Sequence, residues 1–324
     1  MKNILVTGAN GFLGSNTINE LLIHGYYVKG FLRDSNKYYG EVSNNLELIE
    51  GDIKNVNDLN TALFNCDCVI HTAAITDQNL LNYDDYYEVN VKGVINVTKA
   101  AIKNKVNRII YVSTANEFGY GSLENLGDET REISYPFNKL FYSKSKKAAH
   151  DFLLTKLSQI EVIIVNPTFM IGAYDTKPSS GKIVLMGLRN RFVICPSGGK
   201  NFVWVKDVSI GIINAMKNGI NGEAYLLANE NLNFYDFFNL LRENTENNFK
   251  IIRLPNRLLM LLGQTGSILR KFGVRTNFSM ESMKALSVNN YYSNEKAKRE
   301  LRIDFQPIEY GIKEAVSWFL KKPN

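Results

Sequence analysis

The stretch Asn3-Ile-Leu-Val-Thr-Gly-Ala-Asn-Gly-Phe-Leu-Gly14 decides how the rest of the chain is read. Ile4 to Val6 is a short apolar run of the kind that forms a buried parallel strand. Gly8, Gly11 and Gly14 follow. Then comes an amphipathic run over 12–24, with apolar residues at Phe12, Leu13, Ile18, Leu21 and Leu22. Strand, glycine turn and helix in that order expose backbone N–H groups at the positive end of a helix dipole, where a pyrophosphate can sit. Gly8 takes the tight turn, Gly11 lets phosphates approach the backbone, and Gly14 lets the helix lie close on the strand. The spacing is G-x-x-G-x-x-G rather than G-x-G-x-x-G. A tight strand-to-helix turn can also bind nothing, so the loop needs a second motif beside it.

Outward from this loop, apolar runs predict strands at 27–32, 46–49, 68–71, 108–113 and 161–165, with helices at 56–64, 83–105 and 142–157. Strands alternating with helices of this length make βαβ units. The fold class is therefore α/β, a Rossmann-type doubly wound parallel sheet covered on both faces. The loops after Val6, Leu32, Ile49, His71, Val112 and Val165 then converge on one ligand across the C-terminal strand ends. Beyond residue 167 the rhythm changes, with Pro167, Pro178, Pro196 and Gly198-Gly199 lengthening the loops. Helices are expected near 205–217, 235–244 and 308–320, and a strand near 223–227. The apolar segment 258–262 is broken by Gly263 and Gly266. The chain divides into a dinucleotide-binding domain, 1–166, and a smaller substrate lobe, 167–324, parts of which return to the first domain.

The 324 residues are 45% hydrophobic, ample for a large core. No run of about 18 apolar residues exists, so no membrane span is expected. The N-terminus goes straight into a strand, without the pattern of a secretory leader. Cys66, Cys68 and Cys195 make no disulfide framework, which fits a reducing, cytoplasmic location. Cys66 and Cys68 open a strand, and no His or Cys cluster completes a ligand set, so no metal is expected and His24, His71 and His150 read as structural. The net charge of +6 is uneven: residues 1–100 carry 7 basic and 12 acidic side chains, residues 251–300 carry 9 and 3. Such a segment fits an anionic substrate, a membrane surface or a solvated face. No nucleic-acid motif is present.

The second motif is Tyr142-Ser-Lys-Ser-Lys146. On a helix its tyrosine and last lysine share one face. A free phenol titrates near ~10. A nearby ammonium favours the phenolate and makes the group a usable acid or base nearer neutral pH. Ser113 and Thr114, ending the fifth strand, are candidates to hold a substrate oxygen, and the lysine can hold ribose hydroxyls. Y-x-x-x-K alone is common by chance, and Lys139, Lys144 and Lys147 also fit a solvated basic face. The order of glycine loop, hydroxyl pair and tyrosine gives it weight, and the set suits hydride exchange between a nicotinamide and a carbonyl or alcohol.

Along essentially its whole length the chain resembles the extended short-chain dehydrogenase/reductases of the NAD-dependent epimerase/dehydratase superfamily. Thr7-Gly-Ala-Asn-Gly-Phe-Leu-Gly14 matches that family's T-G-x-x-G-x-x-G. Gly51-Asp52-Ile53 resembles its G-D-[LIV], and His71-Thr-Ala-Ala74 its H-x-A-A. Asn90 matches an asparagine that shapes the active-site helix. By resemblance Thr114 rather than Ser113 takes the catalytic hydroxyl role, beside Tyr142 and Lys146. The cofactor site implied comprises Gly8, Asn10, Gly11, Phe12, Leu13, Gly14, Arg33, Asp52, Ile53, Thr72, Ala73, Ala74, Asn90, Val112, Tyr142, Lys146, Pro167, Thr168 and Phe169. A homodimer is also implied, through the helices near 83–105 and 142–157.

Two departures bear on the branch. NAD-selective sugar epimerases tend to end the second strand in an acid, whereas here Leu32 is followed by Arg33, which suits a 2′-phosphate, with Lys37 able to assist. The expected cofactor is NADP(H), with NAD possible. Phe202-Val-Trp-Val-Lys-Asp-Val208 resembles the family's F-[VI]-H-V-x-D-[VA]. Lys200-Asn201 precedes it where nucleotide-sugar enzymes carry a pyrophosphate-gripping arginine. Trp204 there suggests an apolar wall. These features point towards relatives of dihydroflavonol reductases and 3β-hydroxysteroid dehydrogenases, acting on a small-molecule ketone or secondary alcohol. The alternative is a nucleotide-sugar epimerase or dehydratase, for which Glu117 offers a carboxylate and the 251–300 cations a diphosphate site. The stretch 119–138 is expected to be a mobile lip over the substrate.

Overall fold

A computed structural model of the chain describes residues 2–321. Its first half alternates strand and helix: β1 (Asn3–Thr7), α1 (Phe12–Ile23), β2 (Tyr27–Leu32), β3 (Leu46–Glu50), α2 (Val56–Leu63), β4 (Cys68–His71), α3 (Tyr83–Tyr86), α4 (Lys92–Lys103), β5 (Arg108–Val112), α5 (Phe141–Leu154) and β6 (Glu161–Pro167). Then come β7 (Phe169–Ile171), α6 (Lys182–Arg189), β8 (Phe192–Cys195), β9 (Gly199–Trp204), α7 (Val205–Asn218), β10 (Ala224–Leu227), β11 (Glu230–Asn233) and α8 (Phe234–Glu243). Last are β12 (Lys250–Arg253), α9 (Asn256–Lys271), α10 (Met280–Ala285), β13 (Asn289–Asn290) and α11 (Ile308–Lys321).

The main sheet has seven parallel strands in the order β10-β6-β5-β4-β1-β2-β3. Alternate residues of each strand serve opposite faces. Ile4, Val6, Ile70 and Ile110 join the core under α1 and α7, while Leu5, Val69, Ile109 and Tyr111 join the core under α2, α4 and α5. Both faces are therefore apolar, and the strands read as continuous hydrophobic runs. The doubly wound sheet is the one expected from the sequence. β6 runs two residues further than expected, through Asn166 and Pro167, because Pro167 pairs with Leu227 of β10.

The helix expected over 83–105 is interrupted. Between α3 and α4 the residues Tyr87–Val91 form a π turn. Asn90 sits in it and explains it. Its Oδ1 accepts from the Ile75 N–H (2.8 Å), and its Nδ2 donates to the Ile75 carbonyl (3.0 Å) and to Ser145 Oγ (3.0 Å). The wide turn aims this side chain at the loop after β4 and ties that loop to α5.

The lobe after residue 167 is built on a small sheet of β7, β9, β11 and β13 and a two-stranded pair, β8 with β12. Its core is aromatic: Phe202 stacks on Phe237 (4.2 Å) and meets Phe169 and Phe234 edge-on. Gly263 and Gly266 do not break the apolar segment, as expected from the sequence, but lie inside α9. They face the start of α10, where a Cβ at Gly263 would stand 3.1 Å from Met280 Cα and one at Gly266 only 1.4 Å from the Phe278 carbonyl oxygen. The glycines are there to let two backbones touch. Gly266→Ala should therefore lower stability by about 1–3 kcal/mol in equilibrium urea unfolding, whereas Thr265→Ala on the exposed side should stay within about 0.5 kcal/mol. Equal effects would show that the close approach is not structural.

Candidate active site

From β1 the chain winds first towards β2 and β3, then returns to β4 and continues the other way, which opens a crevice at the C-terminal ends of β1 and β4. Gly8 turns there with φ +71°. A Cβ on it would lie 2.9 Å from the backbone of Ala73, and one on Gly14 would lie 2.1 Å from the Gly8 carbonyl oxygen. Gly11 is the N-cap of α1. No side chain caps that helix, and no acid stands in its first turn. An uncapped helix start over a backbone cradle fits a pyrophosphate.

Other residues expected at the cofactor surround this cradle in different ways. Asn10 and Phe12 are half-buried at the helix start, while Leu13 is in the core. Thr72 Oγ1 donates to the Thr7 carbonyl (2.7 Å) and Ala73 N–H to Thr7 Oγ1 (3.4 Å), so the turn into Ala74 is fastened to β1. Asp52 accepts from the Lys54 N–H (2.9 Å), and Ile53 packs into the core against Gly93. Arg33 is exposed just beyond β2, with no hydrogen bond or ion pair among the described residues; Lys37 is paired with Asp34. His71 is buried. Its Nδ1 lies 2.8 Å from Thr7 Oγ1, and burial takes its pKa down to about 3. His24 Nδ1 lies 2.8 Å from the Glu20 carbonyl oxygen.

β5 and α5 bring the second motif to the same edge. The Thr114 hydroxyl acts on the Tyr142 phenol in the direction that favours its ionised form. Burial pushes that phenol up to about 12, against the lowering effect of Thr114. The expected lowering by Lys146 is not found. Lys146 instead donates to the Val112 carbonyl (2.7 Å) and lies 4.4 Å from the centre of the Tyr111 ring. It is 2% exposed, and burial takes its ammonium down to about 8, while Glu117 works in the opposite direction.

Glu117 itself is 2% exposed. Its carboxylate accepts from Ser113 Oγ and from Asn166 Nδ2 (3.2 Å) and lies 2.8 Å from His150 Nδ1. Two consequences follow. Ser113 is committed to Glu117, which leaves Thr114 as the hydroxyl on Tyr142. The carboxylate considered for dehydration is sealed inside this cluster. No motif in the sequence announces the cluster, because its members come from the turn after β5, from α5 and from β6 and meet only in space.

Two clefts flank the Thr114–Tyr142 pair. One, of about 310 Å³, has Tyr142, Phe141, Tyr86 and Leu81 in its wall and reaches Arg270 and Lys271 of α9. The other has Thr114, Asn116, Thr168, Phe169, Lys200 and Asn290 in its wall, with Pro167 beside them. Pro167, Thr168 and Phe169 thus meet the site on the Thr114 side. Asn290, from β13, was not legible as a site residue at all. Lys200 faces no carboxylate among the described residues; its ammonium lies 5.4 Å from the centre of the Phe169 ring, and burial takes it down to about 8. Trp204 lines neither cleft. Its indole donates to Glu314 (2.7 Å) and stacks on Tyr310, so the apolar wall expected there is absent. The stretch 119–138 is fastened down: Gly121 and Gly127 N–H both donate to the Tyr291 carbonyl, and Glu129 accepts from the Leu226 N–H. Among the described residues no group of three or more His, Cys, Asp or Glu side chains could hold a metal ion.

The model of the NAD dependent epimerase/dehydratase family matches residues 4–228. Sterol demethylase protein B of Methylococcus capsulatus is 27% identical, over 98% of this chain and 98% of its own. A 3-beta-hydroxysteroid dehydrogenase of Mycolicibacterium neoaurum is 28% identical, over 95% and 88%. The solved structure of the Bordetella bronchiseptica enzyme WbmH in complex with NAD+ superposes with a TM-score of 0.76 at 20% identity, over 99% of each chain, and shares the fold. The chain belongs to the NAD dependent epimerase/dehydratase family and is an NAD(P)-dependent oxidoreductase of the extended short-chain dehydrogenase/reductase type.

Proposed function

We propose that this chain is an NADP(H)-dependent enzyme that interconverts a ketone and a secondary alcohol, with Thr114, Tyr142 and Lys146 as its catalytic residues. The observation that carries the reading is the Thr114–Tyr142 hydroxyl pair standing between two clefts. The sterol and hydroxysteroid names of its relatives support a substrate of that kind. A bound nicotinamide supplies or accepts the hydride. The glycine cradle and the first turn of α1 would hold the pyrophosphate, and Arg33, without an ion pair among the described residues, would hold a 2′-phosphate. Lys146 holds the ribose hydroxyls. Thr114 orients the substrate oxygen. Tyr142, whose phenol stays protonated far above neutral pH, gives its proton to the carbonyl oxygen in reduction and regains it from solvent. A substrate lobe formed mainly by residues 167–324 and a homodimer through the faces of α4 and α5 belong to the same reading.

Lys200 favours a second reading. A cation without a carboxylate beside Thr114 suits an anionic group on the substrate, as a nucleotide-sugar epimerase would need. The sealed position of Glu117 speaks against the dehydratase form of it.

A turnover panel of apolar ketones against UDP- and GDP-sugars separates the two readings: the first predicts dinucleotide oxidation with ketones only, and a nucleotide-sugar product would overturn it. Tyr142→Phe should cut turnover by about 10²–10⁴-fold with dinucleotide affinity nearly unchanged; an active variant would remove Tyr142 from its role. Reductive kcat/KM should be flat below pH 8 and fall above it, as Lys146 loses its proton at about 8 while Tyr142 keeps its own to about 12. Glu117 raises the Lys146 pKa, so Glu117→Gln should move that descending limb to lower pH. An unmoved limb would show that Lys146 does not set it.

A further inference from the structure

α9 presents two apolar faces. The inner one, with Leu259, Gly263 and Gly266, packs towards α10. The outer one carries Leu258, Leu261, Leu262, Ile268, Leu269 and Phe272 at helical spacing, all exposed, with Phe272 81% exposed just past the helix end. An apolar stripe of this extent on the outside of a folded chain marks a surface meant to be covered. Its charge says by what. Residues 251–280 hold five cations, Arg253, Arg257, Arg270, Lys271 and Arg275, and no acid. Arg270 is used internally, donating to the carbonyls of Asn79, Leu80 and Thr276. Arg257, Lys271 and Arg275 are exposed and without an ion pair among the described residues. A second copy seated face to face on this stripe would set like charges against like. An anionic lipid surface meets both features at once, since it accepts the leucines and attracts the cations. At 16 residues, about 24 Å, α9 is too short to cross a bilayer, and no helix among the described residues is long and apolar enough to do so.

We infer that the outer face of α9 docks the protein on anionic membrane surfaces, with the helix lying in the plane of the headgroups. The segment lies outside the residues that the family model matches, 4–228. The docking does not rest on the proposed function.

Vesicle flotation of the full chain tests it without turnover. The protein should float with phosphatidylcholine–phosphatidylglycerol vesicles, float far less with phosphatidylcholine alone, and be released by high salt. Leu261→Ser with Ile268→Ser, and separately Arg257→Glu with Arg275→Glu, should each weaken partitioning at least about tenfold, while keeping the rise in melting temperature that a dinucleotide gives the parent protein. No flotation of the parent protein would overturn the inference, as would variants that float equally well. So would a dimer that the leucine variant dissociates, since the face would then belong to a second copy. Absence of any dinucleotide effect on the parent protein would strike the functional reading alone.

Discussion

The backbones of β1 and α1 come so close at Gly8 and Gly14 that no side chain fits between them. Much of the molecule follows from that contact. It starts α1 directly over the end of β1, leaves the helix without a side-chain cap, and fixes the depth of the crevice into which the other strands deliver their loops. The sheet order makes β1 and β4 the neighbours at which the winding reverses, so the turn at Thr72–Ala73 is pressed against Gly8. Thr7 fastens this junction from below, through His71 Nδ1 and the Ala73 N–H.

A second constraint is electrostatic. Lys146 is a buried cation whose direct partner is a backbone carbonyl, and Glu117, buried nearby, supports its charge. Glu117 in turn is sustained by Ser113, Asn166 and His150. Buried charges are tolerated only inside such hydrogen-bonded clusters. The same burial that makes Lys146 easier to deprotonate makes Tyr142 harder to deprotonate, so the resting site holds a neutral phenol against Thr114. That state is suited to giving a proton.

The glycine loop, the strand–helix alternation and the Thr114–Tyr142–Lys146 order were legible because each is local: a run of residues, a period or a short spacing. The π turn at Tyr87–Val91 was not, since its residues keep helical periodicity and only the bonds from Asn90 to Ile75 and Ser145 widen it. Gly263 and Gly266 read as breaks because their reason, the backbone of Phe278 and Met280, is distant in sequence. Trp204 was placed at a substrate wall by motif, but Glu314 and Tyr310 of α11 turn it away. The small strands of the lobe are held by the Phe202 cluster rather than by local pattern. Local rules thus gave the frame of the site, and tertiary contacts decided which side chains face it.

The most direct measurement is a paired titration of the protein with NADPH and NADH, followed by tryptophan fluorescence, repeated on Arg33→Ser. Arg33 has no hydrogen bond or ion pair among the described residues, so its guanidinium is available to a 2′-phosphate. NADPH should bind at least about tenfold more tightly than NADH, and Arg33→Ser should bring the two together, as expected for loss of a charge-assisted phosphate contact. Equal or reversed affinities in the parent protein would contradict the account, and so would a preference for NADPH that survives the substitution.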